Sequence, residues 1–127
     1  MSTSPDSESH ARIRDLVESR PVLLFMKGTP ERPQCGFSAQ VAGLLRYLDV
    51  SFHAVDVLAD PDMRAGIKTF SDWPTIPQLY VSGTFQGGCD IVSEMALSGE
   101  LAQVLEEAGI PFDANAASAL RTRTAPG

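Results

Sequence analysis

The chain is short of cysteine, of basic residues and of long apolar runs, and each shortage removes a class of protein. Its only thiols are Cys35 and Cys89. Two cysteines exclude a disulfide-stapled scaffold and any four-cysteine zinc site complete within one chain. The densest apolar run, Val22 to Met26, falls far short of the ~18 residues that a membrane-spanning helix needs. Ten Lys and Arg stand against 16 Asp and Glu, a formal net charge of −6. Non-specific nucleic-acid binding rests on cationic contacts to phosphates, so this balance argues against it. The opening MSTSPDSESH is polar and acidic. It has neither the basic and apolar regions of a secretory signal nor the Arg-rich character of a transit peptide. A cytoplasmic protein with reduced thiols, bound to neither membrane nor nucleic acid, is the expectation.

What remains is a chain of 127 residues with 43% hydrophobic content, enough to build the core of one domain. Both ends read as flexible tails: residues 1–8 are rich in Ser, Asp, Glu and Pro, and residues 113–127 in Ala, Ser and Thr. The expected domain is 9–112.

Within it the hydrophobic period alternates. Ile13, Leu16 and Val17 lie on one face of a short helix that ends near Arg20-Pro21. Residues 22–27 form a continuous apolar run of strand length, as in a central strand covered on both faces. Phe37, Val41, Leu44, Leu45 and Leu48 carry the spacing of an amphipathic helix. Residues 52–57 read as a second strand. Asp60-Pro61 offers an N-cap followed by proline at the first helical position, and Met63, Ile67 and Phe70 continue that helix. Residues 77–81 and 84–86 flank Ser82-Gly83, a two-residue hairpin signal. Residues 91–97 and the set Leu101, Val104, Leu105 and Ala108 read as helices separated at Gly99. The order predicts an α/β fold: a mixed four-stranded sheet, begun by a right-handed parallel unit, with helices on both faces.

Cys35 sits after the first strand and directly before the amphipathic helix. A helix N-terminus presents unpaired N–H groups and partial positive charge, which favour thiolate over thiol, and Lys27 can add a cation. The competing reading is a buried cysteine acting as a small apolar residue, but Gly36 and the Pro33-Gln34 approach suggest an accessible loop. A dithiol redox motif would place a resolving cysteine three positions on. That position holds Ser38, so no intramolecular disulfide can form there, and Cys35 is left to pair with an external thiol or a metal.

These residues resemble the monothiol glutaredoxins of the Cys-Gly-Phe-Ser class, a branch of the thioredoxin superfamily. The resemblance runs from about Ile13 to Ala108 through four ordered blocks: Met26-Lys27-Gly28-Thr29-Pro30, Cys35-Gly36-Phe37-Ser38, Trp73-Pro74-Thr75-Ile76-Pro77-Gln78 and Gly87-Gly88-Cys89-Asp90. It implies the thioredoxin/glutaredoxin fold, a glutathione site and a bridging [2Fe–2S] cluster. Such a cluster takes four ligands, generally thiolates. With one plausible ligand per chain, two copies of Cys35 and two glutathiones would complete the set in a cluster-bridged homodimer.

By the resemblance, Lys27 and Arg64 hold the glycine carboxylate of glutathione. Ile76, before a cis Pro77, offers its backbone to the cysteinyl unit. Gly36 and Phe37 adjoin the thiol, with Phe37 equally suited by its register to core packing. The backbone at Cys89 and Asp90 receives the γ-glutamyl carboxylate at a helix start, while the Asp90 carboxylate meets the ammonium. Duller readings stand beside these: Arg64 as a surface charge, Lys27 as a strand-end residue, Asp90 as a cap, Gly87-Gly88 as a turn and Trp73-Pro74 as loop packing. Cys89 stays open between an inert small residue at the glutathione site, a regulatory thiol and a partner for Cys35. His10 and His53 read as structural.

The expected function is receipt and transfer of a [2Fe–2S] cluster to apo iron–sulfur proteins. The alternative is a glutathione-dependent reductase of protein–glutathione mixed disulfides, slowed by the long segment 29–34. A third reading is an adaptor that, by the resemblance, pairs with a BolA-like protein around the cluster.

Overall fold

The computed structural model describes residues 5–124, with side-chain packing for residues 8–121. The elements run α1 (Pro5–Ser19), β1 (Val22–Met26), α2 (Gly36–Tyr47), β2 (His53–Asp56), α3 (Pro61–Ser71), β3 (Gln78–Val81), β4 (Thr84–Gly87), α4 (Cys89–Ser98), α5 (Glu100–Glu107) and α6 (Ala114–Thr124). The four strands form one sheet in the order β2-β1-β3-β4. β1 and β2 are parallel, joined through α2 as a crossover, and β3 and β4 are antiparallel partners.

β1 is wholly buried, and its alternating side chains divide the core. Val22, Leu24 and Met26 face Val41 and Leu45 of α2, Val92 of α4 and Leu101 and Leu105 of α5. Leu23 and Phe25 face Ile13 and Val17 of α1 with Met63 and Ile67 of α3. Fully burying a side chain such as Phe25 is worth ~1.5–3 kcal/mol, so this one strand anchors both layers. The Asp60 cap is present, with its carboxylate accepting from the Met63 N–H at 3.2 Å, and Arg12 of α1 reaches the same carboxylate at 2.7 Å. Ser82 and Gly83 turn the hairpin with φ of 48° and 80°, the left-handed pair that suits twisted strands.

The register sets where chemistry can occur. Phe25 pairs with Gln78 and Leu79 with Gly87. The C-terminal end of β1, the segment leading into β3 and the segment leaving β4 therefore meet at one end of the sheet. The starts of α2 and α4 follow at that same end.

The chain ends differ from the expected tails. Residues 1–4 and 125–127 lie outside the described residues, but residues 5–8 already belong to α1, and Ser9 is buried against Gly66. At the other end, the Asp113 carboxylate accepts from the N–H groups of Asn115 at 2.9 Å and Ala116 at 3.1 Å. Ala116 and Ala117 then pack into the core with Leu120 beside them. Small alanines gave little apolar signal, yet they are strong helix formers and let α6 come close to α4.

Candidate functional site

Cys35 is the extended N-cap of α2, with φ −150° and ψ 135°. No side chain caps the helix, so its first N–H groups are available to the sulfur. The Ser38 N–H is the largest influence and lowers the Cys35 pKa below its ordinary 9.0. Partial burial opposes it, and the Phe37 N–H, the Lys27 charge and the Ser38 hydroxyl reinforce it. Cys35 is thus biased toward thiolate, as its place in the sequence predicts.

Ser38, where a resolving cysteine would stand, is fully buried. Its Oγ accepts the Lys27 N–H at 3.0 Å and ties the start of α2 to the end of β1. Between them, residues 28–34 form a tight hairpin-like excursion. Gly28 has φ +87°, and a Cβ there would meet the Arg32 carbonyl oxygen at 2.5 Å and the Gln34 nitrogen at 2.8 Å. The Gln34 N–H donates to the Lys27 carbonyl at 2.9 Å, closing the base, and Thr29 and Arg32 exchange backbone bonds at the tip. Arg46, near the end of α2, donates to the Pro30 carbonyl at 3.2 Å and to Glu31 at 3.1 Å. The excursion therefore lies back along α2.

Cys35 opens onto a cavity of about 510 Å³. Lys27, Phe37, Ile76, Cys89 and Asp90 also line it, which brings together six of the eight residues expected at the site. Phe37 is 60% exposed at this opening, so it is no part of the core. Gly36 is exposed, with open space where a Cβ would stand, and it is not a lining residue. Arg64 is also exposed and outside the lining. Lys68, one turn further along α3, takes its place there. The four-residue spacing puts both cations on one helix face, a signal by which the sequence could have disclosed Lys68.

A second helix start also lines the cavity. Gly88 is the N-cap of α4, again without a side-chain cap, so the free N–H groups of its first turn and its positive dipole end adjoin the cavity. Cys89 is buried, and burial pushes its thiol pKa up, with Asp90 and Cys35 adding to the rise. The two thiols are unequal: the Cys35 pKa is lowered and the Cys89 pKa raised. The Ile76–Pro77 peptide is cis, and Trp73, Pro74 and Thr75 complete this part of the lining. Trp73 packs against Phe85 in a tilted ring contact, 5.7 Å between ring centres.

The histidines stay apart from the site. His10 Nε2 bonds Thr69 Oγ1 at 2.7 Å, and burial lowers the pKa of His53, with Arg20 adding to it. Among the described residues no group of three or more His, Cys, Asp or Glu is gathered to hold a metal.

Comparison with known proteins agrees with this arrangement. The glutaredoxin family model matches residues 22–86. The mitochondrial monothiol glutaredoxin-5 of Saccharomyces cerevisiae is 58% identical over 105 residues, covering 80% of this chain and 70% of the yeast protein. A Synechocystis protein described as an uncharacterized monothiol glutaredoxin ycf64-like is 52% identical over 101 residues, covering 80% of this chain and 94% of its own length. Among solved structures, a monomeric truncated mutant of Trypanosoma brucei 1-C-Grx1 superposes with a TM-score of 0.74 at 38% identity, covering 88% of this chain and 97% of that one. With a single activated cysteine, a buried serine in the resolving position and the thioredoxin fold around them, the chain belongs to the glutaredoxin family, among its monothiol members.

Proposed function

We propose that the protein carries a [2Fe–2S] cluster between iron–sulfur proteins, holding it between two copies of the chain through Cys35 and glutathione. The observation that carries this reading is the pairing of an activated Cys35 with a fully buried Ser38. The thiolate is free to ligate, and no thiol stands in the resolving position to compete for it. Four ligands are needed. Two Cys35 sulfurs and two glutathione sulfurs supply them.

The cavity suits glutathione at each of its charged ends. Lys27 and Lys68 offer cations for the glycine carboxylate, with Arg64 one turn away on the same helix. The uncapped start of α4 suits the γ-glutamyl carboxylate, and Asp90 suits the ammonium. The Ile76 backbone, in the same lining, would meet the cysteinyl unit. Recipients are apo iron–sulfur proteins, and a BolA-like protein is a second partner for the cluster-bound form. A reducing compartment, the cytoplasm by expectation, keeps Cys35 available.

Reconstitution with iron, sulfide and glutathione under anaerobic conditions tests this. Wild-type protein should retain iron and sulfide through gel filtration, and Cys35→Ser should retain neither. Equal retention by both would overturn the proposal.

The depressed Cys35 pKa also favours a second reading, reduction of protein–glutathione disulfides. The Cys35 thiolate attacks the glutathione sulfur, releasing the protein thiolate and forming a Cys35–glutathione disulfide. A second glutathione thiolate then regenerates Cys35 and leaves as glutathione disulfide. Rapid Cys35-dependent turnover in a glutathione-coupled assay would place this reading first.

A further inference from the structure

One wall of the cavity is irregular backbone between α3 and β3, and its polar groups must find partners outside a helix or sheet. At its start the Trp73 N–H donates to the Lys68 carbonyl at 3.2 Å and to Ser71 Oγ at 3.1 Å. Behind it stands Gln78, the first residue of β3, with no exposed surface. Its Nε2 donates to the Trp73 carbonyl at 3.1 Å and to the Thr75 carbonyl at 3.2 Å. These two bonds use both donors of the amide nitrogen. Rotating the amide by a half-turn would set Oε1 against two carbonyl oxygens, so its orientation is decided by the loop. The remaining Oε1 is buried without a hydrogen-bond partner.

A buried glutamine is costly where an apolar residue of similar size would fill the same core space. The loop explains its presence: two carbonyls that would otherwise be free are drawn inward, behind the wall. The residues between and beside them, Pro74, Ile76 and Pro77, line the cavity. We propose that Gln78 is a positioning residue for the thiol peptide bound at Cys35. Without touching the ligand, it sets the curvature of the 73–77 wall and so the fit of the cysteinyl part of glutathione. This inference rests on the glutathione reading above.

Two substitutions in the full chain test it, Gln78→Met and Gln78→Glu. Met fills the space without any donor. A buried Glu facing two carbonyls has its pKa raised, and its protonated form restores one of the two bonds. Glutathione binding is measured by calorimetry across pH, well below each variant's unfolding temperature, as a ratio to wild type. Acrylamide quenching of Trp73, the only tryptophan, reports the wall directly. The expected result is about tenfold weaker binding by Gln78→Met at every pH, a part of the worth of the two buried hydrogen bonds it removes, with increased Trp73 quenching. Gln78→Glu should recover part of the affinity toward acid and lose it as pH rises. Wild-type affinity in the folded Glu variant with a flat pH ratio would overturn the proposal, even if the Met variant failed to fold. Wild-type protein that binds no glutathione would instead remove the reading on which the proposal rests, and the proposal with it.

Discussion

Replacing Ser38 by alanine should separate two jobs that the structure assigns to one residue. Its hydroxyl oxygen accepts the Lys27 N–H at 3.0 Å, and its backbone N–H is the largest cause of the lowered Cys35 pKa. Alanine removes the first and keeps the second. A buried donor left without its acceptor costs ~1–3 kcal/mol. Lys27 is only half-buried, and water can reach part of that gap, so the lower half of this range, about 1–2 kcal/mol, applies. For a chain of this size each kcal/mol moves the unfolding midpoint by roughly 4 °C. The expected fall is therefore about 4–8 °C. Cys35 loses only the weakest of its supports, the Ser38 hydroxyl, so its pKa should rise slightly yet stay below 9.0. Calorimetry gives the midpoint, and the pH dependence of iodoacetamide alkylation gives the thiolate titration. Alkylation needs thiolate, so its rate falls as pH drops through the Cys35 pKa. An unchanged midpoint, or a Cys35 titration returned to 9.0, would refute the reasoning.

Other perturbations probe separate parts of the account. Lys68→Ala should weaken glutathione binding by about 10- to 100-fold, the value of a charge-assisted hydrogen bond. Arg64→Ala should weaken it less, and calorimetric affinities in the reverse order would contradict the lining. Gly28→Ala meets both the φ of +87° and the Arg32 carbonyl. It should lower stability by more than the ~1 kcal/mol that separates glycine from alanine in ordinary backbone, and a chemical denaturation curve matching wild type would count against that loop geometry. Asp60→Ala should lose the ~0.5–2 kcal/mol of a helix cap. The Arg12 hydrogen bond and the Met63 N–H hold the Asp60 carboxyl below 3.8. Its contribution is therefore present above that value and disappears as pH falls through the depressed pKa, so wild type and variant should converge in acid melts.

The strands and most helices were legible because their apolar periods are strong. β1 is a run of five large side chains, and Asp60-Pro61 marks a helix start by two independent signals. α6 was hidden because it packs through Ala116, Ala117 and Leu120, where small side chains carry little hydrophobic contrast. The site divides in the same way. Cys35, Lys27, Cys89 and Asp90 stand next to strand ends or helix starts, so local order in the sequence locates them. Lys68 and Gln78 depend on which helix face and which strand register meet the cavity, a property of three-dimensional packing. Arg64 shows the converse: a residue placed by resemblance alone lies outside the lining, while its neighbour one turn on lies within.

The central claim is that two chains share one cluster through one cysteine each. Its most direct measurement takes protein purified without oxygen and records molar mass by light scattering, visible absorption and bound iron on the same sample. The account predicts a coloured dimer with about two irons, which turns colourless and loses its iron when glutathione is removed. A coloured species of monomer mass, or a dimer that keeps its cluster without glutathione, would contradict it.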